Sequence, residues 1–260
     1  MRSSLVALPA FASLFIGCGG SSGAIAPINP QEPKPLLSGN WTIVVTSNLT
    51  NAAYNLGGYL SNTNGSLAAT LHVVPGESGC FGSAEAILFT GTVTTSGAIS
   101  LTSAAVANQV ISVTGSTPGG GLLTGSYKIA GGCAAGDSGT VYGLVEPSFA
   151  GTYTGTLQFA SGTTIGVNAT LAQSGPNAEG EYSLSGTVQF SGSPCFTTGT
   201  ITSSTVFGEY LQVTLNTDQA GVVQFTGIGV AVPSSTTIAG TFLVTAGSCA
   251  GTSGTVTLES

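Results

Sequence analysis

The segment LTGSYKI, residues 123–129, places apolar residues or glycine at every second position, with threonine, serine and lysine between them. A period of two is the period of a β-strand, in which successive side chains point to opposite faces. A related segment, IAGTF, occupies residues 238–242, with the glycine and the aromatic residue in the same places. The chain is therefore expected to consist of strands, and it contains this strand twice.

Other matches show that the repetition covers most of the chain. The segment LSGNWT at residues 37–42 matches FAGTYT at residues 149–154, and SGTV at 138–141 recurs at 253–256. The matches keep the same order, which indicates a tandem duplication. We interpret residues 37–146 and 149–260 as two copies of one domain, connected by a short linker at Glu146-Pro147-Ser148.

Each copy predicts an all-β fold with about eight short strands, separated by clusters of glycine, serine and asparagine. In the first copy the expected strand starts are Trp41, Tyr54, Leu67, Ala84, Ile99, Gln109, Leu122 and Thr140. Closure into a barrel removes the free edges that such weakly charged strands would otherwise expose to aggregation. We therefore predict two tandem antiparallel eight-stranded β-barrels, with immunoglobulin-like β-sandwiches as the alternative.

The first eighteen residues, MRSSLVALPAFASLFIGC, have the features of a secretory signal: one arginine, an apolar stretch and a small residue. The stretch is too short to span a membrane as a helix. Its end, LFIGC, resembles the lipobox of bacterial lipoproteins. The resemblance implies removal of residues 1–17, diacylglycerol on Cys18 and, since Gly19 follows, residence in the outer membrane. Residues 18–36 would then form a flexible tether rich in Gly, Ser and Pro; a plain secretory signal is the alternative.

The composition excludes some partners. Charged residues make up 5% of the chain, against about 25% in an ordinary soluble domain, and Lys and Arg together number 3. Nucleic-acid binding requires Lys and Arg to neutralise phosphates, so we expect no nucleic-acid partner. The expected membrane contact is the lipid anchor, and the further partner is left open between an envelope protein, a glycan and a small apolar ligand.

Four cysteines remain after Cys18, one pair in each copy. The pairs are Cys80 with Cys133 and Cys195 with Cys249, and their separations are nearly equal. Export to an oxidising compartment favours disulfides, and the repeat favours one within each domain, across one mouth of the barrel. A zinc site needs about four ligands, whereas each copy offers two cysteines, so we expect no metal.

The segment GDSG at residues 136–139 resembles the sequence around the nucleophile of chymotrypsin-like proteases. That resemblance implies Ser138 as nucleophile, which would need His72, the single histidine, as its base. His72 alternates with apolar neighbours, so we expect it on the solvated face of its strand. The second copy has Gln189 and Thr252 at the positions of His72 and Asp137. We therefore expect a turn at this segment, no catalytic residue and no cofactor.

The segment Gly39-Asn40-Trp41 resembles the G-x-W opening of lipocalins, and residues 37–42 look like the start of avidin-type barrels. These families bind small molecules inside their barrels, which implies a ligand cavity here. Trp41 is the only Trp, so an avidin-like group of several Trp residues cannot form. Four aromatic residues occupy matched inward positions and are assigned to the core, with ligand contact as the alternative: Trp41, Tyr127, Tyr153 and Phe242.

Three functions are consistent with this sequence. The first is a non-enzymatic, lipid-anchored envelope protein with a binding or surface-contact role. The second is a carrier of a small apolar ligand, which requires an interior cavity of roughly a few hundred Å³. The third is a hydrolase using Ser138, which requires His72 beside it.

Overall fold

A computed structural model describes residues 37–51, 53–75, 80, 86–119, 121–232 and 235–260. The strands form two closed barrels of eight antiparallel strands each, and no α-helix occurs among these residues. The predicted fold is confirmed. The sandwich alternative is wrong, because the first strand of each barrel pairs with its last. The signal peptide, Cys18 and the tether, predicted within residues 1–36, lie outside the described residues.

Barrel 1 is an up-and-down barrel in which each strand pairs with the next along the chain. Its strands are β1 (Gly39–Ser47), β2 (Ala53–Thr63), β3 (Ser66–Val73), β4 (Ala86–Val93), β5 (Ala98–Ser103), β6 (Val110–Ser116), β7 (Leu122–Ala130) and β8 (Ser138–Glu146). Pairing of β8 with β1 closes the barrel. Closure leaves no unpaired strand edge in this sheet.

Barrel 2 repeats the same topology, with β9 pairing with both β10 and β16. Its strands are β9 (Gly151–Phe159), β10 (Thr164–Ser174), β11 (Ser183–Ser191), β12 (Thr198–Phe207), β13 (Tyr210–Thr217), β14 (Val222–Val232), β15 (Ser235–Ala246) and β16 (Ser253–Glu259). The order of strands and pairings is therefore the same in both copies.

Alternation along the strands fills both interiors with apolar side chains. On β7, for example, Leu123, Tyr127 and Ile129 are buried, whereas Thr124 and Lys128 are exposed. The buried apolar residues of each barrel form one continuous cluster. Each barrel therefore has its own hydrophobic core.

Both predicted disulfides are present. Cys80 pairs with Cys133, and Cys195 pairs with Cys249, with Cα atoms 5.8 and 5.7 Å apart. In each barrel the bridge joins the connection after the third strand to the connection after the seventh. In an up-and-down barrel these two connections lie at the same end, so each bridge crosses one mouth.

The two barrels contact each other directly at a surface that we call the joint. Asn40 of β1 donates to the carbonyl oxygen of Gly208 at 2.8 Å, and the Gly208 amide donates back to the Asn40 side-chain oxygen at 2.7 Å. A Cβ on Gly57 would lie 2.4 Å from the carbonyl oxygen of Phe207, so strand β2 approaches barrel 2 closely. The joint comprises Asn40, Thr42, Gly57, Tyr59 and His72 of barrel 1 and Glu179, Glu181, Tyr182, Phe207 and Gly208 of barrel 2.

Candidate functional site

The four matched aromatic residues lie in the cores, and each of them makes an identifiable side-chain contact. Trp41 donates its indole N–H to the carbonyl oxygen of Leu37 at 2.9 Å. Phe242 packs edge-on against Phe159, with ring centroids 5.3 Å apart. The pKa of Tyr153 is raised by burial, partly offset by a hydrogen bond with Thr236. These contacts account for the aromatic positions through packing.

The interior of barrel 2 contains a small cavity of about 70 Å³ with an entirely apolar lining. Phe190, Phe225 and Phe242 are among the side chains that surround it. An apolar cavity of about 150 Å³ holds one benzene molecule, and drug-sized ligands need several hundred Å³. The cavity of a few hundred Å³ that a carrier requires is therefore not formed in barrel 2.

The Asp137 carboxylate is hydrogen-bonded to the strands at which barrel 1 closes, and it does not orient a base for Ser138. It accepts hydrogen bonds from the Ser47 hydroxyl at 2.7 Å, the Tyr127 hydroxyl at 2.9 Å and the Ser138 backbone amide at 2.8 Å. Ser47 ends β1, Tyr127 lies on β7 and Asp137 precedes β8, so one carboxylate connects three adjacent strands. Burial, and then the bond to Asp137, raises the pKa of Tyr127 to about 12, which keeps its hydroxyl a donor.

The second copy changes both members of this pair together. Phe242 replaces Tyr127 and Thr252 replaces Asp137, so the hydroxyl donor and its carboxylate acceptor are both missing. Thr252 instead donates its hydroxyl to the carbonyl oxygen of Cys249 at 2.8 Å, within its own turn. Loss of both partners together is expected for a structural hydrogen bond, because a buried donor or acceptor without its partner lowers the stability of the fold.

The prediction that His72 is solvated is wrong: the residue is 4% exposed. Its Nε2 lies 2.7 Å from the carbonyl oxygen of Glu179 and 3.8 Å from Oε1 of Glu181. Its ring packs against Phe207, with centroids 5.0 Å apart. Alternation correctly places His72 on the outer face of β3, but barrel 2 covers that part of the face.

Burial also raises the pKa values of other polar groups near the joint. Burial raises the pKa of the Glu146 carboxyl, and the negative charge of Glu209 adds to the rise. Burial, followed by the neighbouring Tyr59, raises the pKa of Tyr182 to about 12. The joint is therefore a partly desolvated, polar contact.

The structure does not assemble the catalytic group that the GDSG resemblance implies. Among the described hydrogen bonds and ion pairs, His72 contacts barrel 2 residues, and Asp137 contacts Ser47, Tyr127 and Ser138. A serine nucleophile needs a hydrogen bond to a base, and the base needs a third residue that orients it. Among the described hydrogen bonds and ion pairs, His72 contacts neither Ser138 nor Asp137. In the described part of the chain, no three His, Cys, Asp or Glu side chains are grouped to hold a metal ion.

Comparisons with known proteins add little. No protein-family model and no curated protein matches the chain. A solved structure from Nostoc punctiforme, a protein of unknown function from the DUF3598 family, is similar over 85% of this chain and 94% of its own. The identity is 10% and the TM-score 0.23, so this similarity supports no argument about function. Over the described residues, no helix is long and apolar enough to cross a membrane.

The contact between the two barrels at the joint is not predicted by the sequence. Its signals are two residues that are unusual on an outer strand face: Asn40, between Gly39 and Trp41, and Gly57, within β2. A glycine inside a strand often marks the close approach of another backbone. Neither residue indicates which backbone approaches, because that depends on how the two copies pack.

Proposed function

We propose that this protein is a non-enzymatic lipoprotein of the bacterial outer membrane that displays two joined β-barrels and contacts its partners through their outer surface. Residues 1–17 direct export, Cys18 carries the lipid and residues 18–36 form the tether. Lipid anchoring also compensates for a weakly charged surface that provides little repulsion between molecules in solution.

The filled interior of barrel 2 is the observation that supports a surface role. With about 70 Å³ of apolar space, this barrel leaves no room for a ligand of ordinary size. The interior of barrel 1 holds Trp41, Tyr127 and a continuous set of buried aliphatic residues. Binding by these barrels therefore uses groups on the outer faces.

The positions of the candidate catalytic groups support a non-enzymatic role. His72, the single histidine, is occupied by contacts at the joint, and Asp137 is occupied by three hydrogen bonds that close barrel 1. General acid–base chemistry needs a group that can reach the substrate's proton. These two side chains are used to hold the fold together.

The anchor is tested by expressing the full chain and its Cys18→Ser variant in Gram-negative cells supplied with labelled palmitate. We expect the wild-type chain to carry the label and to sediment with the outer membrane, and the variant to be unlabelled and released from it. The Cys80→Ala/Cys133→Ala variant is the matched control, because it removes two other cysteines and should keep the label. Equal fractionation of wild type and Cys18→Ser would contradict lipid anchoring.

A further inference from the structure

A cleft of about 750 Å³ opens on the outer face of barrel 2, across the adjacent strands β14, β15, β16 and β9. Its volume is within the range of small-ligand sites. The volume of the cleft is about ten times the volume of the cavity inside the same barrel. Of the four aromatic residues assigned from the sequence, Phe242 lines this cleft, and no residue of the joint does.

Strand register arranges the lining into two rows. The first row consists of Thr226, Thr241, Thr255 and Gln158, each opposite the next on the neighbouring strand. The second row consists of Gln224, Leu243 and Ser253. Opposed side chains on neighbouring strands are about 5 Å apart, so the hydroxyl and amide groups form a closely spaced array.

The lining is uncharged: amide and hydroxyl groups lie among apolar groups, which include Phe159 and Phe242. None of the described residues that line the cleft carries a charge. Gln158, Gln224 and Thr255 are exposed, and within the described part of the chain their side chains make no hydrogen bond to the protein. Leu243, which is 43% exposed, adds one apolar surface among them. Amides and hydroxyls both donate and accept hydrogen bonds, so the array matches a ligand rich in neutral hydroxyl groups.

Barrel 1 has different residues at the positions equivalent to the cleft, so the fold itself does not require the cleft residues of barrel 2. Barrel 1 has the same register, with Thr46 at the position of Gln158, Ser112 at that of Gln224 and Lys128 at that of Leu243. Thr114 and Ser126, the counterparts of Thr226 and Thr241, are 3.3 Å apart and bond to each other. The two long amides and the leucine are therefore specific to barrel 2, and barrel 1 carries a charge in the middle of the same face.

We propose that the barrel 2 cleft binds a neutral oligosaccharide. Anionic ligands such as phosphates need cationic groups, which the lining lacks, and an apolar ligand would cover amides and hydroxyls without replacing their hydrogen bonds to water. An extended peptide that adds to a sheet needs a free edge, and the barrel is closed. A sugar chain provides hydroxyl groups for Gln158, Gln224 and Thr255 and apolar C–H surface for Leu243. The proposal gives a ligand class to the proposed surface function, on which it rests.

The test is a titration of the full chain with maltohexaose and, separately, with chitohexaose, followed by two-dimensional NMR of the backbone and side-chain amides. We expect at least one of these neutral oligosaccharides to shift the side-chain amide signals of Gln158 and Gln224. The Leu243→Lys variant, which carries the residue found in barrel 1, should bind about tenfold more weakly or worse, because a hydrated ammonium group then occupies the cleft. The reciprocal Lys128→Leu variant of barrel 1 is the matched control and should bind as the wild type does.

Leu243→Lys is compatible with the strand, since barrel 1 has lysine at that place, and its unfolding midpoint checks this. If its midpoint falls, the Gln158→Thr/Gln224→Ser variant, which also uses barrel 1 residues, replaces it with the same expected loss. The proposal is overturned if neither oligosaccharide shifts the cleft signals at millimolar concentration, if the shifts lie outside the cleft, or if both cleft variants bind normally. A negative binding result does not change the expected palmitate labelling and membrane fractionation. Failure of the oligosaccharide proposal can therefore be distinguished from failure of the proposed anchored-surface function.

Discussion

Replacing Cys195 and Cys249 together by alanine is expected to lower the free energy of unfolding of barrel 2 by about 4 kcal/mol. The bridge closes a chain segment with a sequence separation of 54 residues, and its removal restores that freedom to the unfolded chain. Cys195 is also buried in the core of barrel 2, so the variant loses packing as well. Denaturant unfolding followed by far-UV circular dichroism measures the loss.

The matched variant is Cys80→Ala/Cys133→Ala in barrel 1. Its bridge has a separation of 53 residues, but Cys133 is exposed, so we expect a similar loss of loop entropy and a smaller loss of packing. Trp41 is the only Trp and lies in barrel 1, so its fluorescence follows that barrel alone. Unchanged stability in both double variants, or a barrel 2 variant that shifts only the Trp41 signal, would contradict the stabilising role of the two disulfides.

The Gly57→Val variant is expected to open the joint while barrel 1 stays folded. A Cβ at this position would lie 2.4 Å from the carbonyl oxygen of Phe207 and 2.8 Å from the amide nitrogen of Gly208. Both atoms belong to the backbone of barrel 2, so no side-chain rotation can relieve the clash. Valine itself suits a strand. Separation should also break the paired hydrogen bonds between Asn40 and Gly208 and expose His72.

Since His72 is the single histidine, its reaction with diethyl pyrocarbonate reports the state of the joint without ambiguity. Mass spectrometry of the peptide that contains His72 should show slow modification in the wild type and modification at least about tenfold faster in Gly57→Val. Gly175→Val is the matched control, because a Cβ there meets no atom within 4 Å, and it should react like the wild type. Equal protection of His72 in all three proteins would contradict the joint.

The barrels could be predicted from the sequence because every strand carries its own signal. The sequence predicts a strand start at Leu122, where β7 does begin, and another at Thr140, whereas β8 begins at Ser138. The alternation around Tyr127 assigned the inward face correctly, since burial within a barrel depends on the local period of two. The disulfide pairing followed from the repeat.

What the sequence did not predict depends on contacts between distant segments. His72 has the strand position expected of a solvated residue and is nevertheless buried, because Glu179 and Phe207 reach it from the other copy. The cleft is also invisible in a single strand, since Gln158 and Gln224 lie on β9 and β14 and become neighbours only when the barrel closes. In both cases the residues were identifiable, but their partners were fixed by tertiary packing.

The central claim is that the barrels are packed scaffolds that act through their outer faces. The most direct test is to purify the full chain from the membranes of the expressing cells and compare its mass under native and denaturing conditions. We expect the two masses to agree, because an apolar cavity of about 70 Å³ leaves no place for a stoichiometric ligand inside barrel 2. An apolar molecule present at one copy per chain in the native spectrum and lost on denaturation would contradict the claim and restore the carrier function.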